Sequence, residues 1–428
     1  MRFFTALASV LALLSFVLVS PAAAQTTCDN AQGLAALQTG DYSEAITAYS
    51  CVIDADPLNT EAYLGRAQAN LLSGAWYDAY ADFVASDEFG QGDGSSFSAN
   101  FDQANAWILA QPDQPEGYIL RAWQYWFWAA DSEALDDYER ILRIEPDNLF
   151  ALCYQSSSLN FLGEPIWEDG LSRALELAPD NPNVLTMAGR LYQLDGQQDQ
   201  AFLYLNRAPD FAPAVSLHGE VNFDLQRYPS AQRDYLHVLD LHPTPEYTMR
   251  AYEGLGKVAL ELDLRQEAAD AFAQADAVYG DSANVALRIA FDYSAFDPAL
   301  EAFWFYEFAS RAEVRSGASE PLVIGTPLHA PVARGMVTRY PITLMAGATL
   351  RFSVASISAE SVRVDPLIVL LAPDGTPLRG SDDAEFNVNM GAQIDNFIVP
   401  EDGVYTLVVT STFYGNTGTV AIDVSPAD

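Results

Sequence analysis

Two periodicities divide the chain. From Thr27 to about Tyr279, apolar residues recur at the three- and four-residue spacing that lays one stripe along a helix, and Gly or Pro interrupts the stripe between segments. From about Ser319 that spacing gives way to short runs of alternating β-formers. They are Thr338 to Met345, Leu350 to Ser356, Leu367 to Ala372, Gln393 to Val399, Val404 to Thr410 and Thr419 to Val424. Turn signals stand at Gly347, Asp374-Gly375, Asp402-Gly403 and Gly415-Asn416. Between the two regions, Ala299 to Glu313 reads as a last helix that covers the apolar end of a helical array. The patterns predict a multidomain α and β chain, an α-solenoid of helix pairs followed by an antiparallel, jelly-roll-like β-sandwich.

The helical region repeats itself. Gly40, Tyr42, Ala45, Tyr49 and Pro57 form a frame, and Gly74, Trp76, Ala79 and Phe83 reproduce its first four positions 34 residues later. Further copies run through Ala134, Tyr138 and Pro146, through Gly196, Ala201, Leu205 and Pro213, through Tyr228, Ala231, Tyr235 and Pro243, and through Ala268 and Phe272. Each frame reads as two helices that cross at the small residue, with the aromatic four positions on filling the gap beside it. This resembles the tetratricopeptide repeat family over about Thr27 to Tyr279. The copy from Leu149 to Pro179 departs from the pattern, with Glu168 at the small position.

That resemblance implies a superhelix whose concave face, lined by the first helix of each pair, holds a peptide or protein segment. Trp123, Trp126, Phe127, Asn160, Arg190, Glu220 and Lys257 are the residues expected on that face. The run Trp123 to Trp128 is too aromatic to bury within one helix pair, so its rings meet either a ligand or a neighbouring helix. One neighbour is at hand: Ala79 and Ala134 are 55 apart, and the surplus residues, about 88–113, read as an inserted loop and helix. The insertion is either a lid over the groove or a decayed repeat.

In the C-terminal region the phrases Arg339-Tyr340-Pro341-Ile342, Asp365-Pro366-Leu367, Pro373-Asp374-Gly375, Ser381-Asp382-Asp383 and Pro400 to Tyr405 resemble the bacterial pre-peptidase C-terminal domain, over about Pro321 to Val424. The resemblance implies an accessory module of secreted proteins, some members of which bind calcium or polymers. No peptidase precedes it here. Asp374, Asp382 and Asp383 are candidate oxygen ligands for calcium or ordinary turn residues; no other cofactor is expected.

The N-terminus reads as an address. Arg2, an uncharged run from Phe3 to Ser20 and Pro21-Ala22-Ala23-Ala24 have the parts of a signal peptide over residues 1–24, with an uncleaved anchor as the alternative. A secreted protein, extracellular or periplasmic, is expected, with no stable membrane insertion after cleavage. In that compartment Cys28 and Cys51 are the natural disulfide pair, which leaves Cys153 as a buried, inert thiol. With 58 acidic against 21 basic residues the net charge is −37, which excludes nucleic acid and anionic lipid as partners. The four histidines form no zinc helix, and no nucleophile elbow or phosphate loop occurs. The expected division is signal 1–24, repeat array 25–283, cap and linker 284–317 and sandwich 318–428. The expected function is a non-enzymatic scaffold binding a peptide or protein in the groove. The alternative is a polymer- or glycan-binding accessory protein that uses the sandwich.

Overall fold

Seventeen helices and then nine strands follow one another among the described residues of the computed structural model. Those residues are 28–89, 95–127, 130–280, 282–294, 296–312, 315–316, 320–333, 336–357, 364–382, 391–412 and 418–427. The signal-like segment, Trp128 and Asp383 lie outside them. The helices are α1 (Asn30–Gln38), α2 (Tyr42–Ala55), α3 (Thr60–Ser73), α4 (Trp76–Phe89), α5 (Ser95–Ala110), α6 (Glu116–Phe127), α7 (Asp131–Ile144), α8 (Leu149–Phe161) and α9 (Trp167–Leu177). They continue as α10 (Pro182–Leu194), α11 (Gln198–Leu205), α12 (Ala212–Asp224), α13 (Tyr228–Asp240), α14 (Pro245–Glu261), α15 (Arg265–Tyr279), α16 (Ala283–Tyr293) and α17 (Pro298–Arg311). None is long and apolar enough to cross a membrane.

Polar residues start many of these helices by accepting first-turn N–H groups: Asp41 from Glu44, Asn59 from Ala62, Asn148 from Ala151 and Ser282 from Val285. The small positions of the repeat are contact points. A Cβ on Gly65 would lie 2.2 Å from the Tyr49 ring, so α2 and α3 approach only because that atom is missing. A polar clamp recurs beside them. The Arg66 guanidinium in α3 donates to Ser50 of α2 at 3.1 Å and to Asp82 of α4 at 2.6 Å. Arg121 in α6 donates in the same way to Asn105 of α5 at 2.9 Å and to Asp137 of α7 at 2.7 Å. By this clamp α5 stands to α6 as α2 stands to α3, so the segment expected as an insertion is a member of the stack and not a lid.

The lid is α4. One side of it pairs with α3 through Ala79 and Phe83, both buried, as the repeat frame requires. Its other side lies along the inner faces of the later helices. Trp76 meets Phe150 and Tyr154 of α8 edge-on at 6.0 and 5.8 Å, the Gly74 carbonyl just before α4 accepts the side-chain amide of Asn183 in α10 at 3.0 Å, and Tyr77 meets Phe211 at 5.9 Å. At the far end Tyr80 accepts from Arg250 of α14 at 2.9 Å, Phe89 meets Tyr279 of α15 at 5.6 Å, and Glu88 is bonded to Ser282. The trough expected to be open is therefore closed over much of its length by the chain's own fourth helix.

The strands are β1 (Arg315–Ser316), β2 (Leu328–Val332), β3 (Met336–Leu344), β4 (Thr349–Ser356), β5 (Pro366–Leu371), β6 (Pro377–Ser381), β7 (Ala392–Ile398), β8 (Gly403–Ser411) and β9 (Gly418–Pro426). They form two sheets, ordered β1-β3-β8-β5-β6 and β2-β9-β4-β7, antiparallel except for β1 against β3. Alternation of strands between the sheets gives the eight-strand jelly roll. Every residue of β5 is buried, which a sandwich strand with one wet face would not show. Ile368 and Leu370 enter the inter-sheet core, whereas Leu367, Val369 and Leu371 face Phe305, Phe308 and Ala309 of α17. The last helix thus roofs the outer face of one sheet, and the sandwich is seated on the array.

Cys28 is disulfide-bonded to Cys51 with a Cα separation of 5.4 Å, and Cys153 is a buried free thiol whose pKa burial pushes up. The bond ties the chain before α1 to α2 across 23 residues. Replacing both cysteines by serine is expected to lower stability by about 3 kcal/mol, the loop-closure entropy of a ring of that size. Chemical denaturation of the variant beside the oxidised parent measures it.

Candidate binding site

Beneath α4 a cavity of about 160 Å³ remains. Four successive inner helices build it in one register. Each gives an apolar residue to the floor and a polar residue, one helical turn on, to the rim: Tyr154 and Ser157 from α8, Met187 and Arg190 from α10, Leu217 and Glu220 from α12, Tyr247 and Arg250 from α14. Tyr77 and Tyr80 of α4 are the roof, and Trp126 closes one side, with its indole N–H donating to Ser157 Oγ at 3.1 Å and its ring edge-on to Tyr154 at 4.9 Å. Glu220 and Arg250 also line an adjoining hollow of about 390 Å³ that runs along the open arm of the trough past Gln193, Asp224, Glu253, Lys257 and Arg288.

The cations of this trough are paired. Arg190 donates to Glu220 at 3.0 Å, and Arg250 lies 3.8 Å from the other oxygen of the same carboxylate while its Nε donates to Glu246 at 2.5 Å. Lys257 donates to Glu253 at 2.9 Å and lies 3.2 Å from Asp292; Arg288 donates to the second Glu253 oxygen. Burial opposes the Arg250 charge, but Glu246, Tyr80 and Glu220 outweigh it and hold its pKa well above the ordinary value. Burial also opposes the Glu253 carboxylate, and there Arg288 and Lys257 prevail and lower its pKa. For Asp292 burial wins over Lys257, and the carboxyl is pushed up to about 7. Glu88, at the end of α4, is likewise pushed up to about 7 by burial, despite the Ser282 hydroxyl.

These two raised carboxyls predict a pH dependence. Folded pKa values above the ordinary carboxyl range mean that the folded chain binds more protons than the unfolded chain between about pH 4.5 and 7. Stability therefore falls as pH rises through that window. Thermal melts should show a lower midpoint at pH 8 than at pH 5.5. Glu88→Gln should recover on the order of 1–2 kcal/mol at pH 8 and flatten the slope. An unchanged slope in the variant contradicts the assignment to Glu88.

Of the seven residues expected on the concave face, Trp126, Arg190 and Glu220 line the cavity, and Lys257 lies in the open arm. Trp123 does not face a partner: it is 1% exposed, with its ring 4.6 Å from that of Phe83 in α4. Phe127 packs on the same helix, 5.6 Å from Phe83 and 6.0 Å from Tyr80. Both rings thus pack on α4, and Tyr125 of the aromatic run meets α5 through Phe101 at 5.1 Å. Asn160 stands one turn beyond Ser157, outside the cavity. Of the calcium candidates, Asp383 lies outside the described residues. Asp374 accepts the Thr376 N–H in the β5–β6 turn, Asp382 follows the far end of β6 beside Glu301 of α17, and no group of carboxylates, histidines or cysteines gathers among the described residues. Sequence reasoning missed Tyr77, Tyr80 and Arg250. A signal was present, since Met187, Leu217 and Tyr247, like Arg190, Glu220 and Arg250, recur every 30 residues.

Residues 30–91 match the tetratricopeptide repeat family. The match covers α1 to α4, the pairs in which the frame is most regular. Among solved structures the chain is similar to the Cut9–Hcn1 hetero-tetramer of APC/C, at 16% identity and a TM-score of 0.42, over 63% of this chain and 56% of that one. It spans little more than half of that structure's length. It is also similar to a tetratricopeptide repeat protein from Parabacteroides merdae, at 17% identity and a TM-score of 0.38 over 58% of this chain and 91% of that one. A third likeness is to pilF of Pseudomonas aeruginosa, at 16% identity and a TM-score of 0.35 over 49% and 92%. No curated protein matches the chain.

Proposed function

We propose that the protein is a secreted, non-catalytic scaffold that binds a peptide or protein segment along the open arm of its trough. The observation that carries this reading is the line of Arg190, Glu220, Arg250, Glu253, Lys257 and Arg288 on the inner faces of α10, α12, α14 and α16. In a chain with few cations, three of them, Arg250, Lys257 and Arg288, stand together in one hollow with Arg190 next to it in the adjoining cavity, each beside a carboxylate. Such alternating, partly desolvated charge selects the order of charges on an incoming segment more than it adds raw affinity. Repeat arrays of this kind serve as frameworks for partner binding, and the signal-like N-terminus and the disulfide support export. The sandwich, seated on α17, acts in this reading as a rigid end support.

The test is a selection of peptides from a displayed library on the immobilised chain, followed by affinity measurement against Lys257→Glu. Selected segments should lose about tenfold or more in affinity, because the substitution sets a third carboxylate beside Glu253 and Asp292. Segments that bind the variant as tightly as the parent would place the contact elsewhere.

A further inference from the structure

We infer that the roofed cavity is a site for a free α-amino acid with a large apolar side chain. Its size suits one such group, since cavities of about 150 Å³ hold a benzene ring. The floor of Tyr154, Met187, Leu217 and Tyr247 offers an apolar side chain rings and a polarisable sulfur. The rim offers two guanidiniums with one carboxylate, Glu220, between them. A simple anion placed there meets Glu220, and a simple cation meets Arg190 and Arg250. A dipolar head satisfies both signs, its carboxylate at the arginines and its ammonium at Glu220. A second feature points to a ligand: Ser216, 2% exposed, lines the cavity with a hydroxyl that no protein group satisfies. A buried hydroxyl without a partner is costly, and a polar group that reached it would relieve that cost.

The roof decides between a free amino acid and a residue within a longer chain. A residue inside a peptide needs two exits for its backbone. Here Tyr77 and Tyr80 of α4 and Trp126 line the cavity, and Glu220 and Arg250 are the residues it shares with the adjoining hollow, so the connection the structure shows lies on that side. The site shares Glu220 and Arg250 with the open arm, but the inference does not depend on a partner segment there.

Titration calorimetry on the full chain tests it with L-phenylalanine and L-leucine, beside 3-phenylpropionate, phenethylamine and N-acetyl-L-phenylalanine amide. The expected result is saturable binding of a free amino acid and about tenfold or weaker binding of each probe that lacks one or both head charges. Glu220→Gln should weaken L-phenylalanine by about tenfold yet leave 3-phenylpropionate unchanged or tighter, a change of selectivity that a general loosening of the fold would not produce. Lys257→Glu should leave amino-acid binding as it is. If no probe saturates, or if Glu220→Gln affects all probes alike, the inference fails. If the acetylated amide binds as tightly as the free amino acid, the inference also fails, while the reading of the open arm stands.

Discussion

Trp76→Ala is expected to cost about 3–5 kcal/mol of stability, the loss usual for a large ring removed from a packed interior. The residue is 3% exposed and sits where α4 begins, edge-on to Phe150 and Tyr154 of α8. If α4 served only its own helix pair, Trp76 would lack its contacts with Phe150 and Tyr154, and truncation would cost much less. The size of the loss is therefore a measure of how firmly the roof is held. Urea denaturation of the variant beside Trp123→Ala gives the comparison, since Trp123 packs under α4 from the opposite wall through Phe83. Because the two tryptophans share that helix, the double variant should lose less than the sum of the single losses. Strict additivity would show that they are not coupled through it.

Gly380→Leu is expected to separate the sandwich from the array. A Cβ on Gly380 of β6 would stand 2.5 Å from the Phe305 ring and 3.4 Å from the Ala302 backbone, so α17 cannot stay in place above a larger residue. Phe305 cannot swing aside without leaving the cluster it forms with Leu367, Val369 and Val408. Overpacking on this scale costs about 3 kcal/mol. The consequence is cooperative as well as energetic. Calorimetry of the parent should show array and sandwich melting together, and the variant should show two transitions. A single transition at an unchanged midpoint would mean that α17 does not bear on the sheet.

How far the residues foretold this structure depended on where each contact was made. Helix pairs were legible because the Gly, Ala and aromatic positions act within one hairpin, as Gly65 and Tyr49 do. The sandwich was legible because alternation is local to each strand. The burial of Leu367, Val369 and Leu371 was not, because their cover is α17, more than fifty residues away in the chain. The same limit hid the roof. Trp76 and Ala79 satisfy the repeat frame at the start of α4, and nothing in that frame says that the helix also meets residues such as Phe211 and Arg250, far along the chain. Trp123 and Phe127 were expected to meet either a partner or the inserted helix, and the helix they pack on is α4, which no local pattern names.

The closure of the trough by α4 is tested most directly by nuclear Overhauser contacts between tyrosine and phenylalanine rings in selectively labelled protein. Tyr77 and Phe211, 134 residues apart in the chain, have ring centroids 5.9 Å apart and edges in contact. A Tyr77–Phe211 cross-peak that disappears in Tyr77→Leu is the result the closed trough predicts. Its absence in the parent, in spectra where the Phe150–Tyr154 contact within α8 is visible, would show that α4 stands away from the inner face and that the trough is open.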